Sequence, residues 1–312
     1  MAVDGLRPFR TGLNVAVGED TLEVTAEELR SWGSNCMDHC IPKRIIQTGR
    51  SRDLPLLHRA AVANIKLLNP DFEYSFFDDD DVVQFFDREF PQYRTLFDSF
   101  RLPIQRYDFF RYLAIYRYGG FYLDLDVLLA SSMASLTAYG CIFPFEDLNI
   151  NRFLRQHHRM DWTIGNYAFG ATPEHPFLWK VILNCIRGQE HPAWVESTLR
   201  GIPRLFRDDF AVLATTGPWL VSRTLAESAE VADSVRILFP DDVRRRETWH
   251  NFGNVGIHLM EGSWRTQRKP LRRRLFTLWE AWMMRRCMRE SSRLGAKRSS
   301  SGFRVGTPYD GG

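Results

Sequence analysis

In Tyr122-Leu123-Asp124-Leu125-Asp126, two carboxylates stand two residues apart inside an otherwise apolar run. A strand sends alternate side chains to opposite faces, so Tyr122, Asp124 and Asp126 are expected on one face, with Phe121, Leu123, Leu125 and Val127 on the other. Two steps of strand rise put the acidic Cα atoms about 6.6 Å apart. Such a doubly acidic face costs free energy unless a cation or a donor-rich ligand meets it. Oxygen ligands favour a hard ion, Mg²⁺ or Mn²⁺, which keeps open positions for phosphate oxygens and acts as a Lewis acid on a departing diphosphate. The same pattern is also common on solvated strands that bind nothing.

Upstream, Asp108, Arg111 and Tyr112 fall at i, i+3 and i+4 of a helical segment, residues 104–118, that ends in Gly119-Gly120. They therefore share a face leading into the acidic strand. A carboxylate there can accept sugar hydroxyls, and a guanidinium can clamp a carboxylate or phosphate in a fixed fork. The competing reading is a surface ion pair worth a few tenths of a kcal/mol. Late in the chain stands a lone His258. A histidine taken singly is more often structural.

Elements that would position these groups alternate along the chain. Residues 41–48 read as a first buried strand, 56–68 as a helix closed by Asn69-Pro70, and 72–77 as an aromatic strand. Aspartates 78–81 read as a solvated turn and N-cap for a helix over 82–90. The acidic strand is expected over 121–129. Beyond it, residues 166–170 form a strand or loop, 177–187 and 218–229 helices, and 235–239 a strand. Such alternation predicts the α/β class.

With 312 residues, 44% hydrophobic and 13% aromatic, the chain can bury a full core. A net charge of +3 excludes nucleic acid as the expected main partner. Cys36, Cys40, Cys141, Cys185 and Cys287 are too scattered for a disulfide framework and suit a reducing compartment. Cys36, His39 and Cys40 lack a second Cys/His pair at zinc-ligand spacing. The first forty residues show no secretory signal, and no run approaches the roughly twenty apolar residues of a membrane span. A cytoplasmic or peripheral location is therefore expected, or a Golgi lumen if an anchor is missing from this chain. Leu271, Leu275, Leu278, Trp282 and nearby Met283 form an apolar stripe among Arg272, Arg273, Arg274, Arg285, Arg286 and Arg289. This segment, 271–290, either lies on an anionic membrane or packs on the domain.

The run Gln105-Arg106-Tyr107-Asp108-Phe109-Phe110-Arg111-Tyr112 through Tyr118-Gly119-Gly120-Phe121-Tyr122-Leu123-Asp124-Leu125-Asp126 closely resembles the central motif of glycosyltransferase family 32. The resemblance extends, in the family's order, to residues 41–48, to Asn69-Pro70, to 166–177, to Thr216-Gly217-Pro218, and to 258–264. It implies a GT-A type single nucleotide-binding domain, with a mixed central sheet flanked by helices. It also implies retaining transfer of a hexose from a UDP- or GDP-sugar to a glycan or lipid-linked hydroxyl, assisted by Mn²⁺ or Mg²⁺. Asp126 would be the principal metal ligand, with Asp124 facing ribose or sugar and Tyr122 beside the nucleotide. Asp108 and Arg111 would hold the donor sugar, and His258, Ser263 and Trp264 would close over metal and diphosphate. Asn166 and His175 are weaker candidates for acceptor binding. Where relatives often carry His and an aromatic residue in the first strand, this chain has Ile46 and Gly49, so UDP versus GDP stays open. Gln47 and Thr48 are the polar contacts expected there. The other class of function weighed is a catalytically silent nucleotide-sugar or glycan-binding module at a membrane surface. A two-metal phosphoesterase lacks the ligands. The expected organisation is an N-terminal extension (1–40), a catalytic domain (41–268), a basic amphipathic helix (269–294) and a disordered tail (295–312).

Overall fold

The aspartates at 78–81 begin a helix, as expected. Asp78 Oδ1 accepts from the Asp81 N–H at 3.0 Å, and Asp81 Oδ2 accepts from the Asp78 N–H at 3.1 Å. Two orphan donors of the first turn are thereby satisfied. Asn69 closes the preceding helix, its N–H and side-chain amide both donating to Ile65 O.

The computed structural model describes residues 40–240, 243, 245–260 and 270–298. In chain order the main elements are β1 (Arg44–Thr48), α1 (Leu56–Leu68), β2 (Glu73–Phe77), α2 (Asp79–Glu89), α3 (Pro103–Tyr118), β3 (Gly120–Leu123) and β4 (Val127–Leu129). There follow β5 (Cys141–Leu148), β6 (Trp162–Ile164), β7 (Ala168–Ala171), α4 (Pro176–Glu190), α5 (Arg207–Thr215) and α6 (Pro218–Glu227). The last are β8 (Arg236–Leu238), β9 (Asn251–Phe252), β10 (Gly256–His258) and α7 (Pro270–Arg298).

A seven-stranded sheet has the order β2-β1-β3-β7-β5-β6, with β8 paired to β5. β1 runs parallel to both β2 and β3, whereas β7 is antiparallel to β3 and to β5. A mixed sheet between helices is the architecture expected of a GT-A type domain. The pleat divides the core. Ile46, Tyr122 and Phe169 face Phe85, Phe109 and Phe110 of α2 and α3. Their neighbours Ile45, Phe121 and Ala168 face Ile65 of α1 together with Phe252 and Val255.

Three expectations are corrected here. The acidic segment is not one strand: β3 stops at Leu123, residues 124–126 turn, and β4 restarts at Val127. The Val127 N–H donates to Asp124 O at 3.2 Å within that turn. β4 thus leaves the large sheet and joins a separate three-stranded one, β4-β10-β9. The C-terminal helix, in turn, packs on the domain with a different stripe from the one anticipated. Phe276, Met284 and Cys287 are buried with Phe206, Phe210 and Trp219, whereas Leu275, Leu278 and Trp282 face outward. The backbone stays helical to Arg298, so residues 295–298, expected in the disordered tail, continue the helix.

No helix among the described residues is long and apolar enough to cross a membrane. Cys40, Cys141, Cys185 and Cys287 are thiols rather than disulfides. Cys36 and His39, like the rest of the expected N-terminal extension before residue 40, lie outside the described residues.

Candidate active site

Gly119 and Gly120 deliver the acidic turn. Both have positive φ, +65° and +103°, and a Cβ on Gly120 would come within 2.6 Å of Arg44 O. Only glycine lets the chain leave α3 and lie at once against β1. At the far end of β3, Gln47 Nε2 donates to Leu123 O and Asp124 O at 3.3 and 3.2 Å, and its Oε1 accepts from Tyr74 Oη at 3.0 Å. The Asp124 N–H donates to Tyr167 O at 2.7 Å. The turn is held from both sides.

Asp108, Arg111 and Tyr112 share a face of α3, as their spacing requires, but that face is interior rather than solvated. Asp108 Oδ2 accepts from Thr216 Oγ1 at 2.8 Å, and its Oδ1 accepts from Asn166 Nδ2 at 3.1 Å. Arg111 Nη2 lies 3.1 Å from Asp108 Oδ1, and its Nη1 reaches Asp124 Oδ1 at 3.2 Å and donates to Asn166 O at 2.8 Å. The guanidinium also stacks over the Tyr122 ring, 4.5 Å from its centroid. Tyr122 Oη donates to Asp124 Oδ1 at 2.9 Å, and Tyr112 Oη donates to Thr216 O at 2.7 Å. One cation therefore serves two carboxylates in a buried network. Removing it would strand Asp108 without a counter-ion, at a cost of about 3–5 kcal/mol.

Burial shapes the acidities. It pushes Asp108 up to about 6, against the pull of Arg111 and the Thr216 hydroxyl. Burial likewise raises Asp124, although Arg111 and His258 oppose the change. Burial alone would weaken Arg111 as a cation, yet Asp124, Tyr122 and Asp108 together hold it above its ordinary value.

His258 arrives from the small sheet. In the antiparallel β4–β10 pair it stands opposite Val127, one residue beyond Asp126, and the Leu259 N–H donates to Asp126 O at 2.9 Å. His258 Nε2 lies 3.2 Å from Asp126 Oδ1, and the Tyr167 ring stacks on the imidazole with centroids 4.4 Å apart. Burial lowers the affinity of His258 for a proton, but the Asp126 bond and the charges of Asp126, Asp124 and Glu146 outweigh it and leave the pKa raised.

Asp124, Asp126 and His258 each offer one ligand atom, and these atoms lie within 4.8 Å of one another. Two carboxylate oxygens and an imidazole nitrogen suit a divalent cation such as Mn²⁺ or Mg²⁺. His258 Nδ1 is moreover buried with no hydrogen-bond partner. The residues fit the expected ion.

Several expected site residues are spent on structure. Gln47 is fully buried and saturated by backbone and Tyr74. Thr48 Oγ1 donates to Phe77 O at 2.8 Å, which ties β1 to β2. Tyr122 is buried beneath Arg111, and its hydroxyl donates to Asp124 Oδ1. His175 accepts from the Phe177 N–H at 3.3 Å and caps α4. Ser263 and Trp264 lie outside the described residues. Conversely, sequence reading gave no role to Thr216 or Tyr167 and did not single out Glu146 or His250. His250 Nδ1 sits 3.8 Å from Glu146 Oε1, its carbonyl accepts from the His258 N–H at 2.9 Å, and its φ is +63°. Nothing local in the sequence marks that pair.

Residues 55–143, which span α1 through the acidic turn to β5, match the family described as "Glycosyltransferase sugar-binding region containing DXD motif". Over this segment the chain is similar to the DXD-motif glycosyltransferases. Among its relatives, "Inositol phosphoceramide mannosyltransferase 3" of Schizosaccharomyces pombe is 32% identical over 147 residues, 47% of this chain and 38% of that protein. "Inositol phosphoceramide mannosyltransferase 2" of the same yeast is 25% identical over 81% of this chain and 71% of its own length. The chain thus spans well under half the length of the first and more of the second. The solved "PaToxG Glycosyltransferase" superposes with a TM-score of 0.46 at 16% identity, covering 63% of this chain and 73% of that one.

Proposed function

We propose that the chain is a retaining glycosyltransferase that moves a hexose, mannose by the names of its relatives, from a nucleotide-diphosphate sugar to a lipid-linked or glycan hydroxyl. The observation that carries this reading is the convergence of Asp124, Asp126 and His258 within 4.8 Å, inside a DXD-family segment. The acceptor assignment follows the inositol phosphoceramide named for both relatives.

Asp124, Asp126 and His258 would hold a Mn²⁺ or Mg²⁺ ion, which supplies Lewis-acid neutralisation of the leaving diphosphate. The chain's own task is to keep its donor atoms in place. Arg111 and Tyr122 fix the Asp124 carboxylate, Tyr167 fixes the plane of the His258 ring, and Gln47 anchors the turn between them. Such preorganisation, which needs no rearrangement as charge develops, supplies most of the rate in reactions of this kind. Asp108 acts through Arg111 and Asn166, so it is a positioning residue.

The test is donor breakdown. Incubation with GDP-mannose or a panel of UDP-hexoses and Mn²⁺ should release free sugar slowly, and faster transfer should follow when inositol phosphoceramide is supplied. Asp126→Ala should lower both by roughly 10²-fold or more. Tight donor binding without any turnover would instead identify a silent binding module, and full activity in Asp126→Ala would overturn the metal assignment.

A further inference from the structure

Helix α7 is apolar on two opposite sides, and packing explains only one of them. Inward, Phe276 meets Phe206 and Phe210 with ring centroids 5.4 and 5.6 Å apart, and Trp279 meets the same two rings at 5.3 and 5.6 Å. Cys287 Sγ lies 3.4 Å from Asn149 O, so the seam reaches the end of β5. Outward, Leu275, Leu278 and Trp282 are 44%, 69% and 57% exposed. Their i, i+3, i+7 spacing puts them on one face at 3.6 residues per turn.

That face is also cationic. Arg274, Arg285, Arg286 and Arg289 are exposed, and by the same periodicity they fall among or beside the three apolar side chains. Glu280, the acidic residue among the described side chains of the helix, lies toward the packed side. Leucines and an indole interleaved with guanidinium groups, with no carboxylate between them among the described side chains, choose among possible occupants by charge. A second copy of the same face would set arginine against arginine. A neutral apolar groove would leave the guanidiniums unmatched. An anionic lipid surface takes both halves, since leucine and tryptophan enter the headgroup boundary while arginines pair with phosphates.

We propose that the outward face of α7 docks in the plane of an anionic phospholipid bilayer and holds the domain at that surface. This goes beyond the reading of the active site and does not depend on it. The two can be tested apart.

The experiment is co-sedimentation of the full chain with vesicles of phosphatidylcholine alone and of phosphatidylcholine mixed with phosphatidylserine. The chain should pellet with the mixed vesicles and stay in solution with the neutral ones, and added salt should weaken binding. Leu278→Ser with Trp282→Ser, and separately Arg285→Gln with Arg289→Gln, should each reduce partitioning by roughly tenfold or more. Both exposed pairs should leave the melting temperature and sugar release from the soluble donor unchanged, which separates a docking defect from a folding or catalytic one. Equal pelleting with neutral vesicles, equal binding by the variants, or concentration-dependent self-association abolished by the Leu278→Ser and Trp282→Ser pair would overturn the proposal.

Discussion

Asp108 is where the residue scale has a measurable consequence. Its folded-state pKa is pushed up to about 6 from an ordinary value of 3.8, chiefly by burial. Between those values the native protein keeps a proton that the unfolded chain has released. This contribution to stability is therefore complete below the unfolded value and is lost as pH rises through about 6. Denaturant unfolding should show it as a decline on the order of 2–3 kcal/mol across that window. Asp108→Asn should flatten the profile there, because the amide cannot titrate. Parallel profiles for the two proteins would mean that Asp108 is ionised and fully compensated by Arg111 throughout. The spacing of Asp108 and Arg111 was legible as a shared helix face. That the face is interior was not, since Thr216 and Asn166, which satisfy Asp108, come from distant segments.

At the scale of elements, the Gly-Gly hinge carries the site. Gly120→Ala should cost about 2–4 kcal/mol, since its φ of +103° is strained for any side chain and the added Cβ would meet the Arg44 carbonyl, which cannot yield without opening the β1–β3 pair. Gly188→Ala is the contrasting control. It lies inside α4, where an added Cβ finds nothing closer than 3.4 Å, and the substitution should be neutral or stabilise by about 0.5–1 kcal/mol. Melting temperatures of the two variants should move in opposite directions or differ widely; similar small shifts would show that the hinge tolerates a side chain. Helix α1 and the cap of α2 fall where the sequence places them, because Asn69-Pro70 and the Asp78/Asp81 box act within a few residues. The acidic strand was read as continuous because apolar and polar residues alternate through it. Alternation cannot see that the backbone changes partners between Leu123 and Val127.

For the whole molecule, ligand binding should act as a stabiliser, since Asp124 and Asp126 come from the turn between β3 and β4, His258 comes from β10, and they meet only in the folded chain. Mn²⁺ with a nucleotide sugar at about a hundred times its dissociation constant should add roughly 2.7 kcal/mol, seen as a rise of several degrees in melting temperature. Asp126→Ala should abolish the metal-dependent part of that rise. A rise of the same size with and without Mn²⁺, or one that survives in the variant, would place the cation elsewhere. The carboxylate pair, the helix face and the α/β alternation are written in short-range spacing, and the sequence by itself determined them. Resemblance to the family's late motif had already named His258 as a ligand, but only the tertiary structure set it 3.2 Å from Asp126. Its place depends on the antiparallel register of β4 with β10, a long-range pairing that no local pattern encodes. Which apolar stripe of α7 turned inward was likewise settled by Phe206 and Phe210, because a helix with two apolar sides cannot choose between them until a partner surface exists.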